Sequence, residues 1–260
     1  MQTLQELEAL PTSNGFKGFP YISAVAFIKI VAHPLNLVFS IGLPVVMYLI
    51  FGANQAYTQI ALPHGNVSAQ IMINMAFYGA IVGASTVSVG TSLERANGVS
   101  RLFATTPLSA LAFIFSRMVA SVGVVVIAIV ATFTAGVLSE ARMDTHVWVI
   151  SAILLLLSSV LASLLGLAFG FLFRSDAAYA GVSGITVVSA FLSGIFVPLN
   201  QMSSFFQELA PFTSFYGALM LISSPMYDDP IKWTWVLNVA VWSGIFIAIA
   251  VLARGSDTGR

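Results

Sequence analysis

Ionisable side chains, the groups that most often do chemistry in proteins, are scarce in this sequence and lie outside its long apolar stretches. Only 8% of the 260 residues are charged, and the six longest apolar stretches contain no Asp, Glu, Lys, Arg or His. An ion-driven carrier ordinarily buries such groups at mid-depth in the membrane, and an intramembrane protease or transferase needs a cluster of them. The sequence therefore offers no ion relay and no catalytic residues, and we expect no enzymatic activity from this chain alone.

Residues and motifs that could bind a metal ion or a nucleotide are also few. His33, His64 and His146 stand far apart in the sequence at the ends of apolar stretches, and the chain has no cysteine. We interpret each histidine as an interfacial residue and predict no metal site. No GxxxxGK(S/T) phosphate loop occurs, so the chain is expected to bind no ATP or other cofactor of its own. Any work driven by ATP would therefore need a partner protein that binds it.

The densest positive charge lies in the connection over residues 93–117. Its three arginines are Arg95, Arg101 and Arg117. Thr106-Pro107 is a helix-start signal, a hydroxyl N-cap followed by proline at the first helical position. We therefore predict a short helix over residues 95–104 and a restart at Pro107. A solvated loop on the positive side of the membrane is the alternative, but it explains only the arginines.

Six apolar stretches position these connections. Apolar residues make up 58% of the chain, whereas a soluble domain carries about 25% charged residues, so lipid must be the solvent. Crossing a hydrocarbon core of about 30 Å takes roughly 20 helical residues, because lipid offers the backbone no hydrogen-bond partners. The stretches are Leu35–Phe51, Ile71–Leu93, Met118–Leu138, Trp148–Phe173, Tyr179–Val197 and Trp233–Leu252. The sequence predicts an all-α integral membrane protein with six transmembrane helices.

The basic residues between the stretches predict the orientation, since cytoplasmic loops carry an excess of Lys and Arg. A cytoplasmic N-terminus places eight of the ten inside: Lys17, Lys29, Arg95, Arg101, Arg117, Arg174, Arg254 and Arg260. Only Arg142 and Lys232 then lie outside. We predict a multi-pass protein of a prokaryotic plasma membrane with both termini in the cytoplasm.

Two further segments are too apolar for solvated loops. Residues 16–32 are apolar on one side and too short to span, which predicts an amphipathic helix in the inner interface. The alternative is that they extend the first span downwards. Residues 198–232 are cut by Pro198, Pro211 and Pro225, which predicts short re-entrant helices in the outer leaflet. The predicted division is residues 1–34 for the N-terminus and interfacial helix, 35–253 for the transmembrane domain and 254–260 for a cytoplasmic tail.

Three motifs, in this order, resemble those of type-2 ABC transporter permeases. His33-Pro34 leading to Pro44 and Phe51-Gly52 is similar to the family's entry into span one. The segment Leu93–Ser109 resembles its cytoplasmic signature, although Val99 replaces the usual threonine. The matching residues there are Glu94, Arg95, Gly98, Leu102, Thr106, Pro107, Leu108 and Ser109. Ser193–Leu199 is similar to the Ser-Gly-hydrophobic-Pro end of span five, so the resemblance covers nearly the whole chain.

The resemblance implies half of a transporter. Two permeases, identical or closely related, would work with two ABC ATPase subunits that bind ATP and Mg. A coupling helix between spans two and three, Glu94–Thr105, would dock into the ATPase. The implied coupling residues are Glu94, Arg95, Gly98, Arg101, Leu102, Phe103, Thr106 and Pro107. The importer signature has glycine six residues after its glutamate, whereas Gly98 follows Glu94 by four, so the implied direction is export.

Weakly polar residues in spans two and five are candidates for a substrate path, because the family places its route between the two permeases. They are Asn74, Tyr78, Ser85, Thr86, Ser189 and Ser193. Such an uncharged lining suits a hydrophobic or amphipathic substrate, such as a drug, an antibiotic or a lipid-like molecule, as in daunorubicin-type multidrug resistance. Glycines four apart, Gly79 with Gly83 and Gly166 with Gly170, are interpreted as helix-packing faces.

Other functions stay open at this point. The same family includes exporters of lipid-linked polysaccharide or teichoic-acid precursors. A membrane sensor or scaffold that recruits an ATPase without transporting is a different class, and an ion-coupled carrier is disfavoured by the uncharged spans. The expected partners are the ATPase, a second permease and the lipid bilayer. Nucleic acid is not expected, because the net charge is zero and phosphate binding needs clustered basic residues.

Overall fold

The computed structural model of the chain describes residues 18–32, 37–53, 55–96, 110–173 and 175–255. These ranges are mostly helical, apart from one short β-hairpin and the turns that join the helices. Helices satisfy their backbone hydrogen bonds within one segment, which a chain surrounded by lipid requires. The predicted all-α membrane class is confirmed.

The elements follow one another along the chain with short connections. The helices are α1 (Phe19–Val31), α2 (Leu43–Phe51), α3 (Val67–Ala96), α4 (Ala110–Leu138), α5 (Thr145–Phe173), α6 (Ala177–Ser193), α7 (Ser204–Leu209), α8 (Tyr216–Tyr227) and α9 (Trp233–Gly255). A π-helical turn, Val38–Gly42, leads into α2, and 3-10 turns lie at Ala56–Gln59, Leu199–Gln201 and Ala210–Phe212. Strands β1 (Ala61–Leu62) and β2 (Gly65–Asn66) pair antiparallel just before α3.

Among the residues that the structure describes, four helices are long and apolar enough to cross a membrane. The segments are Val67–Gly90 of α3, Phe115–Leu138 of α4, Thr145–Phe173 of α5 and Trp233–Ala253 of α9. These four candidate spans coincide with the predicted spans two, three, four and six. The helices at the predicted first and fifth spans, Val38–Phe51 and α6, are shorter than the roughly 20 residues of a straight crossing.

The fifth predicted stretch was expected to continue to Val197, but α6 ends at Ser193. Gly194 adopts a left-handed conformation with φ of 90°. The backbone nitrogen of Ile195 then bonds the carbonyl oxygen of Ala190 at 3.0 Å, which closes the helix end. Glycine favours this cap because it has no Cβ to clash. Hydropathy alone could not detect the end, since Ile195, Phe196 and Val197 are as apolar as the helix.

Helix α3 forms the centre of the bundle. In an 18-residue apolar window of α3, 83% of the residues are buried, compared with 6% in that of α9. It is nevertheless the least apolar of the four, with a mean hydropathy of 1.4 against 2.3 to 2.5. In lipid, helices associate through close packing of small residues rather than through hydrophobicity, so the most buried helix need not be the most apolar. Helices α4 and α5 supply its largest contacts.

Glycines allow these contacts. A methyl group built at Gly166 of α5 would overlap the carbonyl oxygen of Ser85 on α3. At Gly79 of α3 it would lie 2.8 Å from the carbonyl oxygen of Ser40, in the turn before α2. At Gly83 it would lie 3.0 Å from a methyl of Val124 on α4. The predicted packing role is confirmed for these three glycines.

The segment predicted as an interfacial helix is helical over Phe19–Val31. It packs along α4, where the Phe27 ring covers Gly123 so closely that a methyl there would lie 2.8 Å from the ring. Tyr21 and Ile28 on its other side are exposed. The helix is therefore attached to α4, while its place in the membrane interface stays a prediction.

The connection over residues 198–232 contains the short helices α7 and α8, which agrees with the expected subdivision. One expected break is wrong, because Pro225 lies inside α8. Proline has no N–H to donate to the carbonyl oxygen of Leu221, four residues earlier. The Ser224 hydroxyl donates to that oxygen instead, at 2.9 Å. The helix therefore continues to Tyr227 and ends at an exposed turn, where Asp228 has φ of 57°.

We predict that Gly166→Ala lowers the unfolding free energy by about 1–3 kcal/mol, because the added methyl must push α5 away from α3. Gly184→Ala in α6 is the matched control, since a methyl there meets nothing within 4 Å. The measurement is the thermal unfolding midpoint of both variants in the same detergent. Equal midpoints would contradict the close contact of α5 with α3.

Candidate functional site

An ion pair joins α3 and α4 at one end of the bundle, called the Glu94 end below. The Glu94 carboxylate accepts a hydrogen bond from the Arg117 guanidinium. Their side chains are 22% and 15% exposed, so the pair is largely withdrawn from water. Glu94 belongs to the last turn of α3 and Arg117 to an early turn of α4. The ion pair therefore holds together the two helices between which the predicted coupling segment runs.

Most of that segment falls outside the described residues. Glu94 is the one predicted coupling residue whose side chain the structure describes, and Arg95 lies in the final helical turn of α3. The remaining six predicted residues lie in the undescribed range: Gly98, Arg101, Leu102, Phe103, Thr106 and Pro107. The coupling helix stays a prediction. The sequence analysis did not identify Arg117 as the partner of Glu94. The signal was available, because an acidic and a basic residue flank the same connection.

Two predicted path residues, Ser85 and Thr86, lie midway along α3. The hydroxyls of both donate to the carbonyl oxygen of Val82 on the same helix, at 3.3 and 2.7 Å. Ser85 is also buried under Gly166, while Thr86 is half-buried. Ser85 is therefore part of the contact of α3 with α5, whereas the partly exposed Thr86 has its hydroxyl satisfied by its own helix, so its place on a path stays a prediction.

Three other predicted path residues gather where α6 ends. Asn74 donates from Nδ2 to the carbonyl oxygen of Ile195 at 3.2 Å. The Tyr78 ring packs against Phe196, with centroids 4.8 Å apart. Ser193 and Thr213 share a hydrogen bond of 2.8 Å between hydroxyl oxygens. The structure thus links the Ser193–Leu199 motif to α3 and to the connection before α8.

Ser189, the sixth predicted path residue, lies one turn before Ser193 on α6 and is buried. Its neighbour on the same face, Thr186, has a buried hydroxyl oxygen without a hydrogen-bond partner. A polar face therefore runs along α6 toward Gly194. Thr186 belongs to the same set of weakly polar residues in predicted span five.

A cleft of about 380 Å³ opens beside this group. Its wall combines polar and apolar side chains: Gln70, Asn74, Gly194, Pro198, Leu199, Asn200, Leu219, Met220, Ser223, Ser224, Tyr227, Asp229 and Trp235. Gln70 donates to Asn74 Oδ1 at 2.8 Å and to Ser223 Oγ at 3.0 Å. Its own Oε1 is buried without a partner. The Gln70 amide is therefore part of the cleft wall, where its nitrogen ties α3 to Ser223 of α8.

The opposite end of the bundle, called the His64 end below, carries the turn between β1 and β2. His64 Nδ1 lies 2.8 Å from Asp144 Oδ2, and its Nε2 lies 3.1 Å from Asp228 Oδ2. Hydrogen bonds to Asp144 and then to Asp228 raise the pKa of His64 above its ordinary value. The sequence analysis missed this group because its members are about 80 residues or more apart in the chain.

The described residues form a helical membrane domain. The Glu94–Arg117 ion pair flanks a connection at one end, and a cleft with polar and apolar walls lies near the other. The described spans contain no ionisable cluster at mid-depth. A family model described as ABC-2 family transporter protein matches residues 53–253. The chain therefore belongs to this family and is the membrane permease of an ABC transporter. Membership implies partnership with an ABC ATPase subunit. No curated protein matches the chain.

We predict that Glu94→Gln or Arg117→Gln lowers the unfolding free energy by roughly 1–3 kcal/mol, because each removes one charge of a largely buried ion pair. The reversed pair, Glu94→Arg with Arg117→Glu, should recover part of this loss. Arg142→Gln, which changes an exposed arginine at the His64 end, is the control. Thermal unfolding in detergent measures all four variants. An effect no larger than that of Arg142→Gln would contradict a stabilising ion pair.

Proposed function

We propose that this chain is the permease subunit of an ATP-driven exporter that moves a hydrophobic or amphipathic molecule out of the cell. The observation that carries the proposal is a contrast in charge within a chain of the ABC-2 family. The described spans are uncharged at mid-depth, whereas the basic connection between α3 and α4 is flanked by the Glu94–Arg117 ion pair. With no ionisable residue at mid-depth of the described spans, the driving force has to enter at an end.

The connection after α3 is the proposed entry point. Two ATPase subunits would bind ATP and Mg and hydrolyse the ATP, while the permease would hold neither and would not act as an enzyme by itself. A short docked helix moves as a rigid body, and packed elements respond by switching position rather than by bending. The Glu94–Arg117 pair supports this role, because it makes α3 and α4 move together when the connection is pushed.

The Glu94 end is proposed to face the cytoplasm, together with both termini. The eight-to-two distribution of basic residues supports this orientation in a prokaryotic inner membrane. The His64 end and the cleft then face outward, and α7 and α8 form the outer re-entrant elements. Helices α2 and α6 would complete the six spans. Both are shorter than a straight crossing, and a bilayer accommodates short helices by thinning locally around them.

Two copies of the permease are proposed to enclose the route. The resemblance to the family implies an interface along α2 and α6, at predicted spans one and five. The exposed side chains there are apolar, as they are on the other spans: Val46, Leu49 and Ile50 on α2, with Ile185, Val187 and Val188 on α6. The cleft would then be the outer end of each half of the route. Its amide and hydroxyl groups and its apolar side chains favour an uncharged or amphipathic substrate, such as a drug, an antibiotic or a lipid-like molecule.

The proposed coupling is tested with the double variant Arg101→Glu, Leu102→Asp, which reverses a charge and removes an apolar anchor in the predicted docking helix. We expect the ATPase to be lost from the purified complex and transport to fall to background. The control is Arg142→Glu at the His64 end, which should retain the ATPase. Co-purification and ATP-dependent uptake into inverted vesicles are measured. Retention of the ATPase by the double variant would refute docking at this connection.

The proposed outer route is tested with Gln70→Met, which keeps the side-chain length but removes the amide group and its hydrogen bonds to Asn74 and Ser223. At about 1 kcal/mol for one hydrogen bond, the substrate concentration for half-maximal ATPase stimulation should rise roughly fivefold. Ser159→Ala is the control, because its hydroxyl bonds its own helix at Leu156. The assay is ATPase stimulation in proteoliposomes across a panel of hydrophobic compounds and lipid-linked saccharides. Unchanged stimulation in Gln70→Met would exclude the cleft from the route.

A further inference from the structure

Three side chains with metal-binding atoms converge at the His64 end. His64 lies in the turn between β1 and β2, Asp144 in the connection after α4, and His146 in the first turn of α5. One ligand atom from each lies within 4.8 Å of the other two. The two imidazole rings meet edge to face, with centroids 5.0 Å apart. Residues that looked isolated in the sequence therefore form one cluster.

Backbone hydrogen bonds hold the cluster from three directions. The His64 nitrogen donates to the carbonyl oxygen of Met226 at the end of α8, at 3.2 Å, and the Asp144 nitrogen donates to the carbonyl oxygen of His64 at 3.1 Å. Nearby, the buried Asn66 accepts from the backbone nitrogen of Arg142 and donates to the carbonyl oxygen of Glu140. The backbone around the cluster is thus held by main-chain hydrogen bonds and by the Asn66 side chain, and does not depend on the His64, Asp144 and His146 side chains.

We propose that His64, Asp144 and His146 bind a divalent transition-metal ion of the Zn²⁺ class, with water completing the coordination. Two imidazoles and one carboxylate suit Zn²⁺, Cu²⁺ or Ni²⁺, whereas Mg²⁺ and Ca²⁺ prefer sites built from oxygen ligands. Metal–ligand bonds of about 2.0–2.2 Å bring tetrahedral donor atoms to roughly 3.4 Å from one another. The side chains reach this spacing through small rotations, since all three are accessible to water.

The two carboxylates around His64 determine the roles of its two ring nitrogens. Nδ1 faces Asp144, the other proposed ligand, and so takes the metal. Nε2 lies 3.1 Å from Asp228 Oδ2 and stays a hydrogen-bond donor to that carboxylate. A carboxylate on the far nitrogen of a metal-bound histidine fixes the tautomer and the ring orientation. Asp228 is therefore a positioning residue rather than a ligand.

A bound ion would join segments that are far apart in the sequence. It would tie the hairpin before α3 to the start of α5, and through Asp228 to the end of α8. Tyr227 and Asp229, the neighbours of Asp228, line the cleft. The loaded site would therefore stiffen one wall of the cleft. The metal site itself does not depend on the proposed transport function, and direct binding tests it separately.

The test uses the full-length chain purified in detergent without a polyhistidine tag. Titration with Zn²⁺ against a chromophoric chelator should find one ion per chain. His64→Asn and His146→Asn should each weaken binding by more than about 100-fold, and Asp228→Asn by about 10–100-fold, as for other outer-shell partners of metal ligands. His33→Asn, at the remaining histidine of the chain, is the matched control and should bind as the unmodified protein does.

A second measurement separates a built site from weak surface binding. Co²⁺ in place of Zn²⁺ should give the intense visible absorption of a low-coordinate centre, and His64→Asn should abolish it while its thermal unfolding shows that it is folded. Absence of Zn²⁺ binding by the folded, unmodified chain would overturn the proposal. Equal binding by His64→Asn and the unmodified chain would do the same.

Discussion

The close contact between α3 and α5 is the interaction on which the rest of the structure depends. In lipid the hydrophobic effect does not press helices together, so contact has to come from van der Waals packing. Gly166 supplies it by letting α5 approach the backbone of α3 at Ser85. This explains why the least apolar membrane-length helix is also the most buried one. The more apolar α9 lies at the periphery, where its side chains face the bilayer.

A buried central helix joins the two ends of the molecule. Helix α3 ends at the Glu94–Arg117 pair and begins beside the hairpin that carries His64. Gln70 and Asn74, in its first turns, contact the cleft. At 1.5 Å per residue, about 30 Å separates Glu94 from Asn74. A rigid helix of this length can carry a displacement from one end to the other, because packed elements shift as bodies instead of deforming.

Charge is distributed to match this arrangement. Ionisable groups among the described residues lie toward the ends of the helices and in the connections, where water or a partner is available, since an unpaired charge at mid-depth costs several kcal/mol. At the Glu94 end they pair across the predicted coupling segment. At the His64 end a histidine and two aspartates draw three connections together. The interior between them uses hydroxyls and amides that bond carbonyl oxygens within the same chain.

Much of the fold could be predicted from hydropathy, because a helix in lipid must be both long and apolar. The predicted end of the third span, Leu138, is the last residue of α4, and the predicted start of the sixth span, Trp233, is the first residue of α9. The predictions failed where backbone conformation decides. Gly194 ends α6 inside an apolar run, and Ser224 supplies the hydrogen bond that lets Pro225 remain inside α8. Both effects are local geometry, which a hydropathy profile does not contain.

The sequence by itself determined that the chain is an all-α membrane protein, which family it resembles and where its charges lie along the chain. These properties depend on composition and on neighbours in sequence, which lipid and the positive-inside rule act on directly. Only the tertiary structure decided that Glu94 pairs with Arg117, that Asn74 contacts Ile195 and that His64 meets His146. Such contacts join residues up to 121 positions apart. They follow from how the helices pack, and packing depends on the shape of whole helix surfaces rather than on any one segment.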